Sequence, residues 1–149
     1  MKSVDTIDSI LSLKGRELWS VDPTATVYEA IQKMSEKQVG ALLVMSEGKL
    51  AGIISERDYA RKVILKDRSS KQTLVQEIMT RAVITVMPDH LVEDCLRVMT
   101  ENRVRHLPVV DRDNVVGIVS IGDLVKWIIM AREATIGQLQ RYITGDYPG

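Results

Sequence analysis

A chain of 149 residues, 45% apolar and 27% charged, has room for one globular domain or two closely packed halves and lacks the bias of a disordered or fibrous polymer. Twenty acids balance twenty bases, which excludes a global field drawing the chain onto nucleic acid or anionic lipid. No apolar run approaches the roughly 20 residues of a bilayer span, residues 1–20 lack a signal-peptide core, and the single cysteine, Cys95, excludes an internal disulfide. A soluble, cytoplasmic protein with neither membrane nor nucleic acid as partner is the expectation. Two scattered histidines and one cysteine give no metal-ligand spacing.

In chain order, the first predicted element is the extended piece Trp19-Ser20-Val21-Asp22-Pro23, since a residue before proline is pushed out of the helical region. An amphipathic helix over about 26–37 follows, with Val27, Ala30, Ile31 and Met34 on one face. Ala41 to Met45 reads as a buried strand, Ser46-Glu47-Gly48-Lys49 as a turn, Leu50 to Ile54 as a second strand, and 56–65 as a helix. The polar stretch 66–72 is a linker, and Thr73 to Met79 a short lead-in helix. The series then recurs: an extended piece ending at Pro88, a helix over 91–102 with Leu91, Cys95, Val98 and Met99 on one face, strands at 107–110 and 115–119 around a turn, and a helix over 121–133. A further helical stretch, Thr135 to Ile143, has no counterpart; Ile136, Leu139, Gln140 and Ile143 lie at helical spacing, with Trp127 and Tyr142 expected nearby, as packing surface.

The recurrence is literal. Residues 21–58 lie over 86–123 without a gap, and 12 of the 38 pairs are identical: Val21/Val86, Pro23/Pro88, Val27/Val92, Met34/Met99, Glu36/Glu101, Val39/Val104, Leu42/Leu107, Val44/Val109, Gly52/Gly117, Ile53/Ile118, Ser55/Ser120 and Asp58/Asp123. Ordinary residue usage would give about two or three. Two copies of one supersecondary unit, each too small to hide its apolar face alone, predict an α/β fold of two pseudo-symmetric repeats with clefts along the seam. The boundaries are 7–65 for the first repeat, 66–80 for linker and lead-in helix, 81–133 for the second repeat and 134–149 for a helical tail.

Gly52-Ile53-Ile54-Ser55-Glu56-Arg57-Asp58 and Gly117-Ile118-Val119-Ser120-Ile121-Gly122-Asp123 occupy matching places in the two copies. Each resembles the signature of cystathionine-β-synthase (CBS) domains: Gly, two apolar residues, Ser or Thr, two variable residues, Asp. Asn102 to Asp111 and Val75 to Thr80 are similar to the same family. The resemblance implies a CBS pair, or Bateman module, with a small sheet and packed helices in each repeat. It further implies adenosine-containing ligands bound between the halves, and dimerisation.

The candidate residues carry two readings each. Ser55 and Ser120 stand between a strand and a helix, where Ser-x-x-Asp is an ordinary capping pattern. A strand end opening onto a helix N-terminus also suits a phosphorylated ligand, and a carboxylate there accepts ribose hydroxyls. The resemblance assigns the ribose to Asp58 and Asp123, with Ser55 and Ser120 near sugar and phosphate. It gives the phosphates to Arg105 and His106, whose guanidinium fork and imidazole suit phosphate oxygens. The competing reading of Arg103 to His106 is a solvated basic patch. The first-repeat counterparts Gly40 and Ala41 carry no charge, so the cavity there needs another phosphate partner; Arg57, opposite Gly122, is that partner or crosses to the second cavity. Arg61 and Lys62 read equally well as an exposed helix face. Ser20-Val21 and Thr85-Val86 offer main-chain groups and an apolar wall to adenine, and Leu107 and Pro108 complete the set.

No nucleophile–base pair and no Gly-rich phosphate loop is visible. The leading expectation is therefore a regulatory module without chemistry of its own, sensing an adenine nucleotide: AMP first, then ADP, ATP, NAD or S-adenosylmethionine. It would signal to an effector protein that the sequence does not name, and form a homodimer. The alternative is a ligand-free assembly scaffold.

Overall fold

The computed structural model describes the backbone of residues 5–144 and the side chains of residues 5–133. The chain begins with helix α1 (Ile7–Lys14), ahead of the short strand β1 (Ser20–Val21), helix α2 (Val27–Lys37) and the hairpin β2 (Ala41–Ser46) and β3 (Lys49–Ser55). After β3 comes α3 (Glu56–Tyr59), which runs into a π-helical turn at Ala60–Ile64, and then the one-turn helix α4 (Val75–Ile78). The second repeat holds α5 (Val92–Asn102), β4 (His106–Asp111), β5 (Asn114–Ser120) and α6 (Ile121–Thr144).

The duplication reaches the backbone. Val21 pairs in parallel with Val44, and Val86 bridges Val109 in the same sense 65 positions later. Both hairpins carry an irregularity at the same place, between Val44 and Met45 and between Val109 and Val110. Both turns hold two successive residues at positive φ, Glu47-Gly48 and Arg112-Asp113, the demand of a type I′ turn. Helices α2 and α5 each end on a left-handed residue, Gln38 and Arg103, that closes the last turn.

The core divides into two clusters, and each recruits a helix that precedes the other repeat. Ile7, Ile10 and Leu11 of α1 pack with Val92, Cys95, Met99, Leu107, Val119 and Leu124 of the second repeat. Val75, Ile78 and Met79 pack with Val27, Met34, Leu42, Ile54 and Val63 of the first. This exchange explains the signature glycines. A Cβ at Gly52 would lie 2.8 Å from the Thr80 carbonyl oxygen and 2.9 Å from Met79 Sδ, and one at Gly117 would lie 2.7 Å from the Leu11 methyls. Only glycine lets the lead-in helices approach the strands this closely.

Three expectations need correction. Helix α1 lies where no element is predicted, and it packs into the second core rather than with the repeat it precedes. The helix expected over 56–65 is four α-helical residues and a π turn, closed by the Leu65 N–H donating to the Ala60 carbonyl. The two stretches 121–133 and 135–143 form one unbroken helix. The side chains of Ile136, Leu139, Gln140, Tyr142 and Ile143 lie outside the described residues, whereas Trp127 donates from Nε1 to Asp5 at 3.0 Å.

Candidate functional site

The two signature segments begin their helices in the same way. Ser55 Oγ accepts from the Asp58 N–H, and Asp58 Oδ2 accepts from the Ser55 N–H and Oγ–H at 3.0 and 3.1 Å. At the second copy the Asp123 N–H donates to Ser120 Oγ, and Asp123 Oδ2 accepts from the Ser120 N–H at 2.8 Å. The capping reading of Ser-x-x-Asp is therefore correct for both, and it fixes the rotamer of each carboxylate. Each carboxylate also holds a lysine, supplied from a different element. Lys62 lies 3.0 Å from Asp58 Oδ1 and donates to the Ile78 carbonyl. Lys14, from α1, lies 2.7 Å from Asp123 Oδ2 and donates to the Ile118 carbonyl.

A cleft of about 890 Å³ opens between the repeats. From the first repeat it takes Gly40, Ile53, Ser55, Glu56, Arg57, Asp58, Arg61 and Lys62; from the second, Arg103 to His106, Ser120 and Ile121; Thr80 and Ala82 to Ile84 form the wall between. The cavity around Asp58 thus adds Arg103, Arg105 and His106 of the other copy to Arg57, Arg61 and Lys62 of its own. Gly40 and Ala41 bring no charge, and Arg105 lines the same cleft from across the seam, with His106 beside it. Arg57 crosses too, its Nη1 donating to the Arg103 carbonyl at 3.0 Å. Main-chain bonds fasten the helix starts on both sides: Glu56 N–H to the Gly40 carbonyl, Ile121 N–H to that of Arg105.

Of the residues singled out in the sequence, Gly40, Ser55, Arg57, Asp58, Arg105, His106 and Ser120 line this cleft. The others lie elsewhere. Ala41, Val86, Leu107 and Pro108 are buried. Ser20 and Val21 form β1, with the Ser20 carbonyl accepting from Lys33 Nζ. Thr85 is exposed. Asp123 is outside the cleft and held by Lys14. The apolar wall sits a few residues ahead of Thr85-Val86, at Ala82 to Ile84; the clue was the short apolar run directly after the lead-in helix. Thr80, which donates to Asp58 Oδ1 at 3.4 Å, carried no signal in the sequence.

Electrostatics differ between the copies. Burial pushes the His106 pKa below 6.5, with Lys14 and Arg105 adding to the effect and Asp123 opposing it, so the imidazole is neutral at pH 7. For Asp123, burial works to raise the pKa, but hydrogen bonds from Lys14 and Ser120 outweigh it and hold the carboxyl below 3.8. Cys95 is no part of the site: burial pushes its thiol up to about 11. Among the described residues no group of three or more His, Cys, Asp or Glu could hold a metal ion, and no helix is long and apolar enough to cross a membrane.

Comparison with known proteins agrees with this architecture. The CBS domain family model matches residues 12–65 and 75–130. The chain is 41% identical to the CBS domain-containing protein CBSX3, mitochondrial, of Arabidopsis thaliana, over 95% of this chain and 73% of that one. It is 34% identical to YhcV of Bacillus subtilis, over 79% of this chain and 84% of that one. A CBS-domain protein from Burkholderia ambifaria superposes with a TM-score of 0.82 at 50% identity, covering 84% of this chain and 94% of its own. The CBS pair of MJ0100, solved with 5′-methylthioadenosine and S-adenosyl-L-methionine, superposes with a TM-score of 0.73 at 29% identity, covering 83% and 94%. Adenosine-containing ligands are thus bound by a CBS pair of this architecture. The Burkholderia relative is described as a signal-transduction protein. With a duplicated signature, two exchanged lead-in helices and a family match over both repeats, the chain belongs to the CBS-domain family as a tandem pair, a Bateman module.

Proposed function

We propose that this chain senses an adenine nucleotide in the cleft at Asp58 and signals by shifting the relative placement of its two repeats. The observation that carries the proposal is the makeup of that cleft. An oriented carboxylate, an apolar wall and a set of guanidinium groups from both copies border one space of about 890 Å³. Asp58 Oδ1 faces the long 3.4 Å contact from Thr80, the weakest of its bonds and the one a ribose hydroxyl would replace. Ala82, Val83 and Ile84 offer the base an apolar face, and AMP is the smallest phosphorylated ligand meeting all three features. NAD, ADP and ATP share them. Ligand contacts to both repeats favour one arrangement of the pair, so an effector reading that arrangement would receive the signal. Asp123 serves a second ribose only by exchanging Lys14 for it.

Isothermal titration calorimetry of the full chain with AMP and adenosine tests the reading. Asp58→Asn keeps a cap acceptor and removes the charge, so AMP binding should weaken about tenfold or more, the loss expected for a charge-assisted bond. Unchanged affinity in the folded variant refutes the ribose role, and no heat with any adenosine compound at millimolar concentration refutes the sensor.

The same structure favours self-assembly. Ile64, Leu65, Val125, Ile129 and Met130 are exposed, and Ile64 and Ile129 are repeat equivalents. We infer a homodimer that covers these apolar side chains, in a reducing compartment such as the cytoplasm. Sedimentation velocity should give twice the 16.7 kDa chain mass. The scaffold reading would keep this dimer and lose the nucleotide.

A further inference from the structure

The charge in the Asp58 cleft is lopsided. Arg57, Arg61, Lys62, Arg103 and Arg105 border it, against two carboxylates, Glu56 and Asp58. Lys62 is matched by Asp58, and Arg57 spends a donor on the Arg103 carbonyl. Among the described residues, the guanidinium groups of Arg61, Arg103 and Arg105 form no ion pair. Outside the cleft Arg16 lies on Asp8, Arg68 on Glu77 and Arg97 on Asp94, while Arg81, Arg112 and Arg132 form no ion pair among the described residues but are not gathered on one concave surface with other cations. In a chain of zero formal charge, an excess of three cations collected on one concave surface is a local feature. A cleft focuses that potential, and unpaired guanidinium forks match phosphate oxygens two at a time.

We infer that this cleft selects a polyanion: a nucleoside di- or triphosphate in preference to a monophosphate, and a nucleoside without phosphate or with a sulfonium centre least of all. This deepens the nucleotide reading of the same site. One phosphate can engage one or two of the three free guanidinium groups, and each added phosphate brings roughly one further negative charge to the remainder. A sulfonium ligand brings positive charge to a surface already in excess of it. The specificity-determining residues are therefore Arg61, Arg103 and Arg105. They come from both repeats, so a polyphosphate long enough to meet them joins the halves more firmly than a single phosphate.

The test is calorimetry on the full chain in metal-free, low-salt buffer with ATP, AMP, adenosine, S-adenosylmethionine and inorganic tripolyphosphate. ATP should bind at least tenfold more tightly than AMP, adenosine and S-adenosylmethionine should be weakest, and tripolyphosphate should compete with ATP. Arg61→Gln, Arg103→Gln and Arg105→Gln, surface changes that leave folding intact, should each weaken ATP and tripolyphosphate three- to tenfold and spare adenosine. Raising the salt should shrink these differences. S-adenosylmethionine or adenosine binding as tightly as ATP overturns the inference, as do glutamine variants that bind ATP like the parent. Tripolyphosphate binding without any adenosine compound keeps the polyanion site and sinks the nucleotide reading. Adenosine compounds bound without regard to phosphate number do the reverse, and no binding by any of them overturns both.

Discussion

The contact between Lys14 and Asp123 joins α1 to the start of α6, and its strength follows from the structure. The N–O separation is 2.7 Å, and the two side chains are 36% and 24% exposed. Fully exposed pairs contribute about 0.2–1 kcal/mol, whereas hydrogen bonds to charged groups in less solvated places contribute about 1.5–3 kcal/mol. Intermediate exposure places the pair near about 1 kcal/mol. A double-mutant cycle of Lys14→Met and Asp123→Asn isolates this coupling, because asparagine keeps an acceptor for the Ser120 N–H and the lost Lys14–Ile118 bond is common to both legs. Urea unfolding at pH 7 and low salt should return a coupling of about 1 kcal/mol, and Lys14→Met alone should lower the melting temperature by roughly 2–4 °C. The sign with pH is fixed by the depressed Asp123 pKa. The stabilisation is complete above the ordinary carboxyl value of 3.8 and disappears as pH falls through the lower folded value. A coupling below about 0.2 kcal/mol at low salt, or one unchanged in acid, would refute the assignment of Lys14 as the partner that orients this carboxylate.

Two further outcomes follow from contacts already described. Gly52→Ala should destabilise the protein by about 1–3 kcal/mol in urea titration, since the new methyl meets the Thr80 carbonyl and Met79 Sδ; a melting curve like the parent's would contradict the close approach. The affinity ratio of the parent to His106→Gln for AMP should be higher at pH 6 than at pH 8 in calorimetry, because a phosphate beside His106 raises a pKa that burial has lowered and the ligand's own titration cancels in the ratio; an equal ratio at both would contradict a phosphate there. In the unliganded protein the same residue works against stability as pH falls from 6.5 through its lower folded value.

The elements within each repeat were legible because the gapless duplication doubled every local signal. Pro23 and Pro88, the apolar spacing of α2 and α5, and the polar turns all recur in register. Helix α1 was not legible, although Ile7, Ile10 and Leu11 stand to the second core as Val75, Ile78 and Met79 stand to the first. The offset there is 68 positions rather than 65, so a gapless overlay ends before reaching it. The lengths of α1 and α4 also differ, eight residues against four. In the cleft, Ser55 and Asp58 stood out by their register with Ser120 and Asp123, whereas it was the resemblance to CBS domains that singled them out with Arg105 and His106 as ligand-binding candidates. That Arg105 and His106 line one cleft with Asp58 depends on how the copies face each other, which is a relation between repeats and not a property of either.

That relation also accounts for the unequal chemistry of two nearly equal halves. Backbone features coincide at an offset of 65, down to the left-handed residues at 38 and 103. Side chains diverge where the copies meet: Gly40 against Arg105, Ala41 against His106, Glu56 against Ile121, Arg57 against Gly122. A Cβ at Gly40 would already stand 3.2 Å from Glu56 Oε1 and 3.5 Å from His106 Nε2. An arginine there, matching Arg105, would crowd the histidine of the other copy and add one more cation to a surface already rich in them. Symmetry of the main chain therefore does not carry over to the site. The close approach at Gly40 leaves room for one basic set across the seam, and the second repeat supplies it.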